Sequence, residues 1–310
     1  MPTDETKIED TRCGFLTLLG APNAGKSTLV NQLIGQKVSI VSPKVQTTRT
    51  RVSAVLTEGN CQAVFIDTPG IFADPKRRLE KAMISMAWQE AHQTDRIMVL
   101  VDASKKAAIA HSEIILSNLK GPFSKIDLIL NKVDAVPKEQ LLGLADRLMS
   151  DYGFAACFMV SALKGSGVDQ LRNHVFSLLP EGPWHYPEDQ ITDLSNPLLA
   201  AEVTREKLFL NLNQELPYEL TVETENWTIQ KNGDLRIEQA VFVSKSGHKG
   251  IVLGNKGQKI KKVGAEARRD LSELFGRKVH LFIFVKVKEN WLDDMERYRE
   301  MGIDPSVVPR

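Results

Sequence analysis

Two patterns of apolar and polar positions divide the chain. From about residue 13 to residue 180, short apolar runs alternate with longer stretches whose apolar residues recur at helical spacing. The apolar runs are GFLTLLG, QAVFID, RIMVLVD, KIDLILNK and CFMVSA, and the helical stretches are KSTLVNQLIG, RRLEKAMISMAWQEAH, HSEIILSNLK and KEQLLGLADRLMSDYG. Strands that alternate with helices predict an α/β domain with a mostly parallel sheet covered on both faces.

The pattern changes at residues 179–193, LPEGPWHYPEDQITD, where prolines and acids predict an interdomain linker. The next segment, SNPLLAAEVTREKLFLNLNQEL, predicts a helix whose N-cap is Ser195 or Asn196. Two alternating strands with a turn at Asn232-Gly233 follow, then a short helix, a glycine turn, a long helix and the strand VHLFIFVKVK. The order α-β-β-α-α-β predicts a second, smaller α+β domain.

The length of 310 residues is comfortable for two domains. No internal repeat links the two halves. The predicted division is a flexible N-terminus at residues 1–12, the α/β domain at 13–180, a linker at 181–194, the α+β domain at 195–291 and a tail at 292–310.

Composition narrows the class of protein without giving a function. A formal net charge of +1 is no global argument for nucleic-acid binding, so any basic surface must be local. Cys13, Cys61 and Cys157 show no CxxC spacing, which favours a reducing compartment over a disulfide framework or a zinc site. The polar N-terminus lacks the apolar core of a signal peptide, and no apolar run reaches the roughly 20 residues that span a bilayer. We therefore expect a soluble cytoplasmic protein.

A phosphate-binding loop stands between the first predicted strand and the first predicted helix. GAPNAGKS matches GxxxxGK[ST], in which glycines let backbone N–H groups wrap the phosphates and the helix N-terminus adds its positive dipole end. Lys26 is expected to reach the β- and γ-phosphates, and the Ser27 hydroxyl to ligate Mg²⁺. The candidate nucleotide-binding residues are Gly20, Ala21, Pro22, Asn23, Ala24, Gly25, Lys26, Ser27 and Thr28.

The DTPG turn ends a second strand. Asp67 is expected to hold the Mg²⁺ shell, and the backbone N–H of Gly70 to face the γ-phosphate, so that the segment after it would sense hydrolysis. The next position holds Ile71, where many relatives of this turn have a glutamine that orients the attacking water. The candidates in this turn are Asp67, Thr68, Pro69 and Gly70.

The NKVD stretch, residues 131–134, comes at the end of the apolar run KIDLILNK and indicates which base is bound. The Asp134 carboxylate can accept from both N1–H and the exocyclic amine of guanine, whereas adenine offers no such pair of donors. Lys132 can lay its stem over the ring, Asn131 can tie this loop to the phosphate loop, and the Ala162 N–H can donate to guanine O6. The candidates for the base are Asn131, Lys132, Asp134, Ser161, Ala162 and Leu163.

The ordered set GAPNAGKST, TTR, DTPG, NKVD and SAL resembles the translation-factor-related small GTPases. The resemblance implies that KVQTTRTR is the first switch, with Thr48 as the Mg²⁺ ligand that closes over GTP. Thr47 is a near-equal alternative, and both threonines could instead be solvated loop residues. Among these candidates, the metal ligands would be Ser27, Thr48, Asp67 and Asn23, and the catalytic residues Asn23, Lys26, Thr48 and Gly70.

Ile71 places the resemblance in the subgroup whose glutamine position is hydrophobic. In that subgroup an asparagine of the phosphate loop, here Asn23, is associated with a bound K⁺ ion. This ion would add positive charge near the β- and γ-phosphates as negative charge develops, where other GTPases accept an arginine finger. The alternative is that Asn23 only hydrogen-bonds its own loop. Either way, slow intrinsic turnover is expected.

The second domain carries a basic glycine turn. Gly254-Asn255-Lys256-Gly257 fits the GxxG loop of a KH domain, which clamps about four nucleotides of single-stranded backbone. From Lys245 to Lys288 the chain has 12 Lys and Arg against 3 Asp and Glu, an electrostatic footprint for a phosphate backbone. The alternative is a solvated helix face beside an incidental turn. The candidate RNA-binding residues are Gly254, Asn255, Lys256, Gly257, Lys259, Lys261, Lys262 and Arg268.

A GTPase domain joined to a type II KH domain resembles the Era family of bacterial GTPases, from about Cys13 to Trp291. The resemblance implies binding of the 3′ end of small-subunit ribosomal RNA and a role in 30S subunit assembly. It also implies GTP or GDP with Mg²⁺ and K⁺, stimulation by RNA and K⁺, and peripheral association with the inner membrane; we expect a monomer. One alternative is an RNA-binding adaptor in which GTP is structural. Another, a GTPase of tRNA modification, would need machinery beyond these two domains.

Overall fold

The chain divides into two compact units. The structure, a computed structural model, describes residues 10–44, 47–72, 74–75, 77–119, 122–213, 216–289 and 291. The first unit comprises Met1–Val38, Arg51–Asp74 and Ile84–Asp193, and the second Ser39–Thr50, Pro75–Met83 and Leu194–Arg310. Two short segments from inside the first domain's sequence thus belong to the second unit. The predicted tail, 292–310, and most of the predicted N-terminal segment lie outside the described residues.

The first unit is built on a mostly parallel sheet, as predicted. Across the part of the chain that the structure describes, its strand order is β2-β3-β1-β4-β5-β6, with β2 antiparallel to β3 and the other neighbours parallel. The strands are β1 (Arg12–Gly20), β2 (Val52–Glu58), β3 (Cys61–Asp67), β4 (Arg96–Asp102), β5 (Ile126–Asn131) and β6 (Ala156–Val160). β2 is absent from the predicted elements, although Gly59-Asn60 between two apolar runs is a hairpin signal.

Helices cover both faces of this sheet. They are α1 (Lys26–Ile34), α2 (Arg78–Gln93), α3 (Lys106–Asn118), α4 (Lys138–Tyr152) and α5 (Val168–Leu178). α1 and α5 bury Leu29 and Leu171 in one apolar cluster, while α2, α3 and α4 contribute Ala87, Ile115 and Leu148 to a cluster on the other face. Since parallel strands end at one edge, the loops after β1, β3, β5 and β6 meet there. α5 was not among the predicted helices.

The segment predicted as a linker is held against the first unit. The side-chain oxygen of Gln62 on β3 accepts the backbone N–H groups of His185 and Tyr186, at 2.9 and 3.0 Å. Val55 on β2 donates its N–H to the Ile191 carbonyl at 2.9 Å. These bonds satisfy the irregular backbone of the segment without a strand or helix.

The second unit has the predicted order α-β-β-α-α-β. Its elements are α6 (Asn196–Asn211), β7 (Leu220–Ile229), β8 (Leu235–Val243), α7 (Ser246–Leu253), α8 (Gln258–Leu274) and β9 (Val279–Val287). β8 pairs antiparallel with β7 and parallel with β9. Ser195 is the N-cap residue of α6, and Val263, Ala267 and Leu271 of α8 are buried at the predicted core spacing. None of the helices in the described ranges is both long and apolar enough to cross a membrane.

Candidate nucleotide site and nucleic-acid interface

The phosphate loop follows β1 and has a backbone that few residues could adopt. Asn23 has φ 62° and Gly25 has φ 99°, both in the left-handed region. A Cβ atom on Gly25 would lie 2.2 Å from Asn131 Nδ2, so a glycine is required there. Asparagine is among the few residues that visit this region readily. The left-handed backbone at this position therefore favours asparagine even without the expected role of Asn23 in binding K⁺.

Lys26 is the first residue of α1 and is buried. Its Nζ donates to the carbonyl oxygens of Gly20, at 3.1 Å, and Ala21, at 3.3 Å. Burial lowers the pKa of Lys26 and the nearby charge of Asp67 raises it; the effect of burial is larger, and the resulting pKa is about 8. The negative charge of a polyphosphate would stabilise the ammonium form, so this lysine is suited to phosphate binding.

Ser27 and Asp67 meet at the C-terminal edge of the sheet. Ser27 Oγ donates to Asp67 Oδ2 at 2.7 Å, although the two residues are 40 positions apart in the sequence. Asp67 is fully buried at the end of β3. No group of three or more His, Cys, Asp or Glu that could hold a metal is found among the described residues. A hydroxyl and one carboxylate fit Mg²⁺, which binds through one or two carboxylates together with substrate phosphates and water.

Gly70 lies against the phosphate loop. A Cβ atom on it would fall 2.7 Å from Pro22 Cα and 2.8 Å from Pro22 N. The next residue, Ile71, donates its backbone N–H to the Gly20 carbonyl at 3.1 Å, and its side chain is only 5% exposed, within the α2–α4 cluster. Ile71 is thus a core residue whose backbone fixes the start of this segment, and its side chain orients no water.

His111 on α3 lies near this turn and was missed from the sequence. Burial lowers its pKa and the Lys26 charge lowers it further, while a hydrogen bond with the Ile71 backbone raises it. Its Nε2 is buried with no hydrogen-bond partner among the residues that the structure describes. A lone histidine within a helical stretch gives no sequence signal for this position.

Asn131 connects three loops. Its Nδ2 donates to the Ala24 carbonyl at 2.8 Å, and its Oδ1 accepts the backbone N–H groups of Lys132, at 2.8 Å, and Ala162, at 3.0 Å. The Ala162 N–H, predicted to donate to guanine O6, donates to Asn131 in this structure. The side chain of Asn131 is buried at the end of β5, so one amide holds the phosphate loop and both base-side loops together.

Two acids define the base side of the site. Ser161 Oγ donates to Asp134 Oδ1 at 2.7 Å, and this bond lowers the pKa of Asp134, which is thus an ionised acceptor. Lys132 has φ 65° and its Nζ lies 2.6 Å from Asp102 Oδ2. Burial raises the pKa of Asp102, but hydrogen bonds from Lys132 and Ser104 outweigh it and the pKa is lowered. Asp102 was missed, although its place at the end of a strand was a signal.

The two threonines of the predicted first switch belong to the second unit. Thr47 Oγ1 donates to the Lys44 carbonyl at 2.8 Å, and the Thr47 carbonyl accepts from Arg205 on α6. Thr48 is only 9% exposed, which argues against the alternative that it is a solvated loop residue. Leu163, in contrast, is 79% exposed beside Ser161 and Ala162.

The GxxG turn joins α7 to α8. Gly254, Lys256 and Gly257 all have positive φ, at 73°, 47° and 75°. A Cβ atom on Gly254 would lie 2.6 Å from Lys259 Cβ, whereas one on Gly257 would meet nothing within 4 Å. The first glycine is thus required by packing and the second by its backbone conformation, which leaves the tip of the turn open to a ligand.

A groove of about 300 Å³ runs between α8 and β9. Lys261 and Arg268 stand at its side and are exposed, while Lys259 is half-buried against Gly254. Lys245 and Lys249 are also exposed on and beside α7, and were omitted from the predicted set. The lining residues are Ile260, Lys261, Gly264, Ala265, Arg268, Leu281 and Ile283. An apolar floor with basic side chains suits unstacked bases on a phosphate backbone.

Known proteins resemble both units. Two family models match, one described as a 50S ribosome-binding GTPase over residues 15–132 and one as a KH domain over residues 215–292. GTPase Era of Afipia carboxidovorans is 52% identical over 300 residues, which cover 97% of each chain. GTPase Era of Rhizobium meliloti is 53% identical over 294 residues, 95% of this chain and 93% of its own. A crystal structure of Era in complex with MgGDPNP and nucleotides 1506–1542 of 16S ribosomal RNA has a TM-score of 0.87 and 36% identity, and the match covers 94% of this chain and 99% of that one.

Proposed function

This chain belongs to the Era family of GTPases, and from that premise we propose a GTP-hydrolysing switch that assists assembly of the small ribosomal subunit. Membership implies hydrolysis of GTP to GDP and phosphate, with Mg²⁺. The KH domain would bind the single-stranded 3′ end of small-subunit ribosomal RNA, as the related Era structure contains 16S nucleotides. Monomeric state and peripheral membrane contact stay predictions from the resemblance.

The observation that carries the proposal is the junction at Asn131. One buried amide bonds the phosphate loop at Ala24 and the base-side loop at Ala162. Phosphate recognition and base recognition are thereby fixed relative to each other within the first unit. Asp134, held ionised by Ser161, supplies the acceptor that distinguishes guanine from adenine.

Mg²⁺, when bound with the nucleotide, would neutralise charge on the β- and γ-phosphates. Ser27 and Asp67 would hold it, and Lys26 would bind the phosphate oxygens from the other side. We assign Thr48 the role of a further ligand in the GTP state. The backbone N–H of Gly70, which packs on Pro22, would report on the γ-phosphate.

The attacking water must be oriented without a glutamine. Ile71 is buried in the core and supplies no polar atom from its side chain. We propose that Asn23 would hold K⁺, which when bound would supply positive charge near the β- and γ-phosphates, with slow intrinsic turnover and stimulation by RNA. The same burial of Ile71 favours a second candidate function, an RNA-binding adaptor whose GTP is structural.

Single-turnover hydrolysis of GTP tests the proposal. The rate would be compared in K⁺ and Na⁺, with and without a short RNA of the small-subunit 3′ end, for the wild type, Asn23→Ser and Gly257→Asp. Both glycines have positive φ, but Gly257 lies in the left-handed helical region that aspartate tolerates and a new side chain there meets no neighbour within 4 Å, so it is preferable to Gly254. K⁺ should accelerate cleavage only with Asn23 present, and RNA only with the turn intact. Negligible hydrolysis under every condition, with RNA still bound, would favour the adaptor.

A further inference from the structure

Residues 216–220 of the second unit, which we name the docking turn, bind an arginine from each of its two inserted segments. Arg49 Nη1 donates to the Leu220 carbonyl at 2.7 Å, and Arg49 Nη2 to the Pro217 carbonyl at 3.0 Å. Arg77 Nη2 lies 3.6 Å from Glu219 Oε1. Arg49 lies within the predicted first switch, next to Thr48, and Arg77 belongs to the segment after Gly70. Both nucleotide-sensing segments therefore contact the same turn.

Arg49 is held as firmly as a core residue. Its side chain is 1% exposed, and its guanidinium lies 5.6 Å from the ring centroid of Phe209 and 5.9 Å from that of Trp291. The Trp291 Nε1–H in turn donates to the Glu219 carbonyl at 3.3 Å. A buried guanidinium that left its acceptors would lose both hydrogen bonds and leave two carbonyl oxygens without their donor. This contact is suited to being either fully made or fully released.

Arg77 is fixed to the start of a helix. Its backbone N–H donates to Glu80 Oε2 at 3.0 Å, a bond that reaches back from the first turn of α2 as in a capping box. The Arg77 backbone is therefore tied to the first turn of α2, the helix that follows the Gly70 turn. A shift of that helix would move Arg77 and so change the contact between its guanidinium and the Glu219 carboxylate.

Glu219 also reaches toward the RNA-binding turn. Its second carboxylate oxygen, Oε2, lies 3.5 Å from Nδ1 of His248. His248 is on α7, which ends at Leu253, immediately before Gly254 of the GxxG turn. Arg77 and His248 thus lie beside the two oxygens of one carboxylate, that of Glu219, although His248 Nδ1 makes no hydrogen bond among the described residues. Glu219 therefore stands between the segment after Gly70 and the helix that precedes the GxxG turn.

The segment that carries Arg49 has further attachments to α6. The Val41 N–H donates to Glu206 Oε1 at 2.9 Å. Lys44 Nζ donates to the carbonyl oxygens at the C-terminus of α6, those of Phe209 and Leu212. A cation is favoured at that helix end by the dipole. Within the described part of the first switch, Lys44, Thr47 and Arg49 thus bond to other residues of the second unit.

We propose that the docking turn is the coupling site of the switch, where the RNA-binding unit responds to the nucleotide state through Arg49 and Arg77. Glu219 and His248 are positioning residues that carry the response to α7. The inference rests on the proposed function and adds its route. A ligand shifts an equilibrium only through contacts that differ between two states, and both arginine contacts lie on segments expected to rearrange around GTP. By linkage, RNA must change the affinity for GTP relative to GDP by the same factor.

The test measures this coupling in the full-length protein. The dissociation constant of a short single-stranded RNA of the small-subunit 3′ end is measured by fluorescence anisotropy with Mg²⁺ and saturating GDPNP, and again with GDP. The ratio of the two constants is the coupling. Arg77→Met and Glu219→Gln should each move the ratio toward one by about threefold to tenfold. Glu219→Gln also removes the charge beside His248, so the double variant should move the ratio no further than Glu219→Gln alone.

A control and a rescue separate coupling from folding. Arg147→Met breaks an ion pair with Glu113 in the first unit and should leave the ratio unchanged. Arg77→Lys, which keeps a cation opposite Glu219 and leaves the Glu219–His248 contact in place, should retain part of the ratio, which a general loss of stability would not allow. A wild-type ratio of one would contradict the coupled switch of the proposed function itself. A large wild-type ratio that Arg77→Met and Glu219→Gln both retain would overturn only the assignment of the docking turn.

Discussion

The Nδ2 of Asn131 donates to the carbonyl oxygen of Ala24 at 2.8 Å, across 107 positions of sequence. Replacing Asn131 with alanine would leave this carbonyl and the Lys132 and Ala162 N–H groups without their partner. We expect the free energy of unfolding to fall by about 1–3 kcal/mol. GTP affinity should also fall by at least about tenfold, because the phosphate loop and the base-side loop would no longer be held together. Urea denaturation and nucleotide titration measure the two effects.

The matched control for that change is Asn118→Ala. Asn118 is exposed on the last turn of α3, and its Nδ2 donates to the Ile114 carbonyl within its own helix at 2.7 Å. We expect a change of stability below about 0.5 kcal/mol and unchanged GTP affinity. Equal losses in both variants would contradict a special role for Asn131.

The Asp134 carboxylate should decide the choice of base. Asp134→Asn replaces one acceptor oxygen by an amide donor, so the side chain can no longer accept from both guanine donors. We expect GTP affinity to fall by about 100-fold or more, because a polar group of the site faces a mismatched partner. Affinity for xanthosine triphosphate, whose carbonyl at position 2 can accept from the new amide, should rise. Asp169→Asn, an exposed acid in the first turn of α5, should change neither affinity.

The depressed pKa of Lys26 makes the stability of the nucleotide-free protein depend on pH. The folded value is about 8 and the reference value is 10.5. Below pH 8, Lys26 is protonated in both the folded and the unfolded protein, and the folded state carries the full cost of burying the ammonium group. Between pH 8 and 10.5 the unfolded protein binds more protons than the folded protein, so the free energy of unfolding rises with pH. The contribution from pH 8 to pH 9.5 should be about 1.5 kcal/mol. Lys26→Met should lack this rise in urea denaturation and should lose nucleotide affinity. An identical pH slope in both proteins would contradict a neutralised Lys26.

Much of the fold and site was predictable because local patterns carry them. GAPNAGKS can be identified as a phosphate loop from the predicted strand before it and the predicted helix after it. The spacing of Val263, Ala267 and Leu271 likewise predicts the buried face of one helix. The sequence could not show that Arg49 is buried, since that depends on carbonyls at Pro217 and Leu220, about 170 residues away. Nor could the sequence show that the Ala162 N–H donates a hydrogen bond to the side chain of Asn131. These features arise from tertiary contacts, which leave no periodic signal.

The end of the sheet opposite the nucleotide site holds a buried ion pair whose loss should affect stability and leave binding intact. Arg96 at the start of β4 donates Nε and Nη2 to the two carboxylate oxygens of Asp127, at 3.1 and 2.8 Å. Asp127 is fully buried, and His174 of α5 lies 3.4 Å from its Oδ1. Arg96→Ala would strand this carboxylate, and we expect a loss of about 3–5 kcal/mol in the free energy of unfolding.

The control for Arg96 is Arg172→Ala. Arg172 is a partly exposed arginine of α5, with Asp169 at 3.4 Å and Glu58 at 3.8 Å, and its replacement should cost at most about 1 kcal/mol. GTP affinity, measured at a temperature where each variant is folded, should be unchanged in both, because Asn131 and Ser27 lie at the other edge of the sheet. A stability loss below about 1 kcal/mol for Arg96→Ala would mean that water reaches Asp127. A parallel loss of GTP affinity in the folded variant would mean that this end of the sheet is linked to the nucleotide loops.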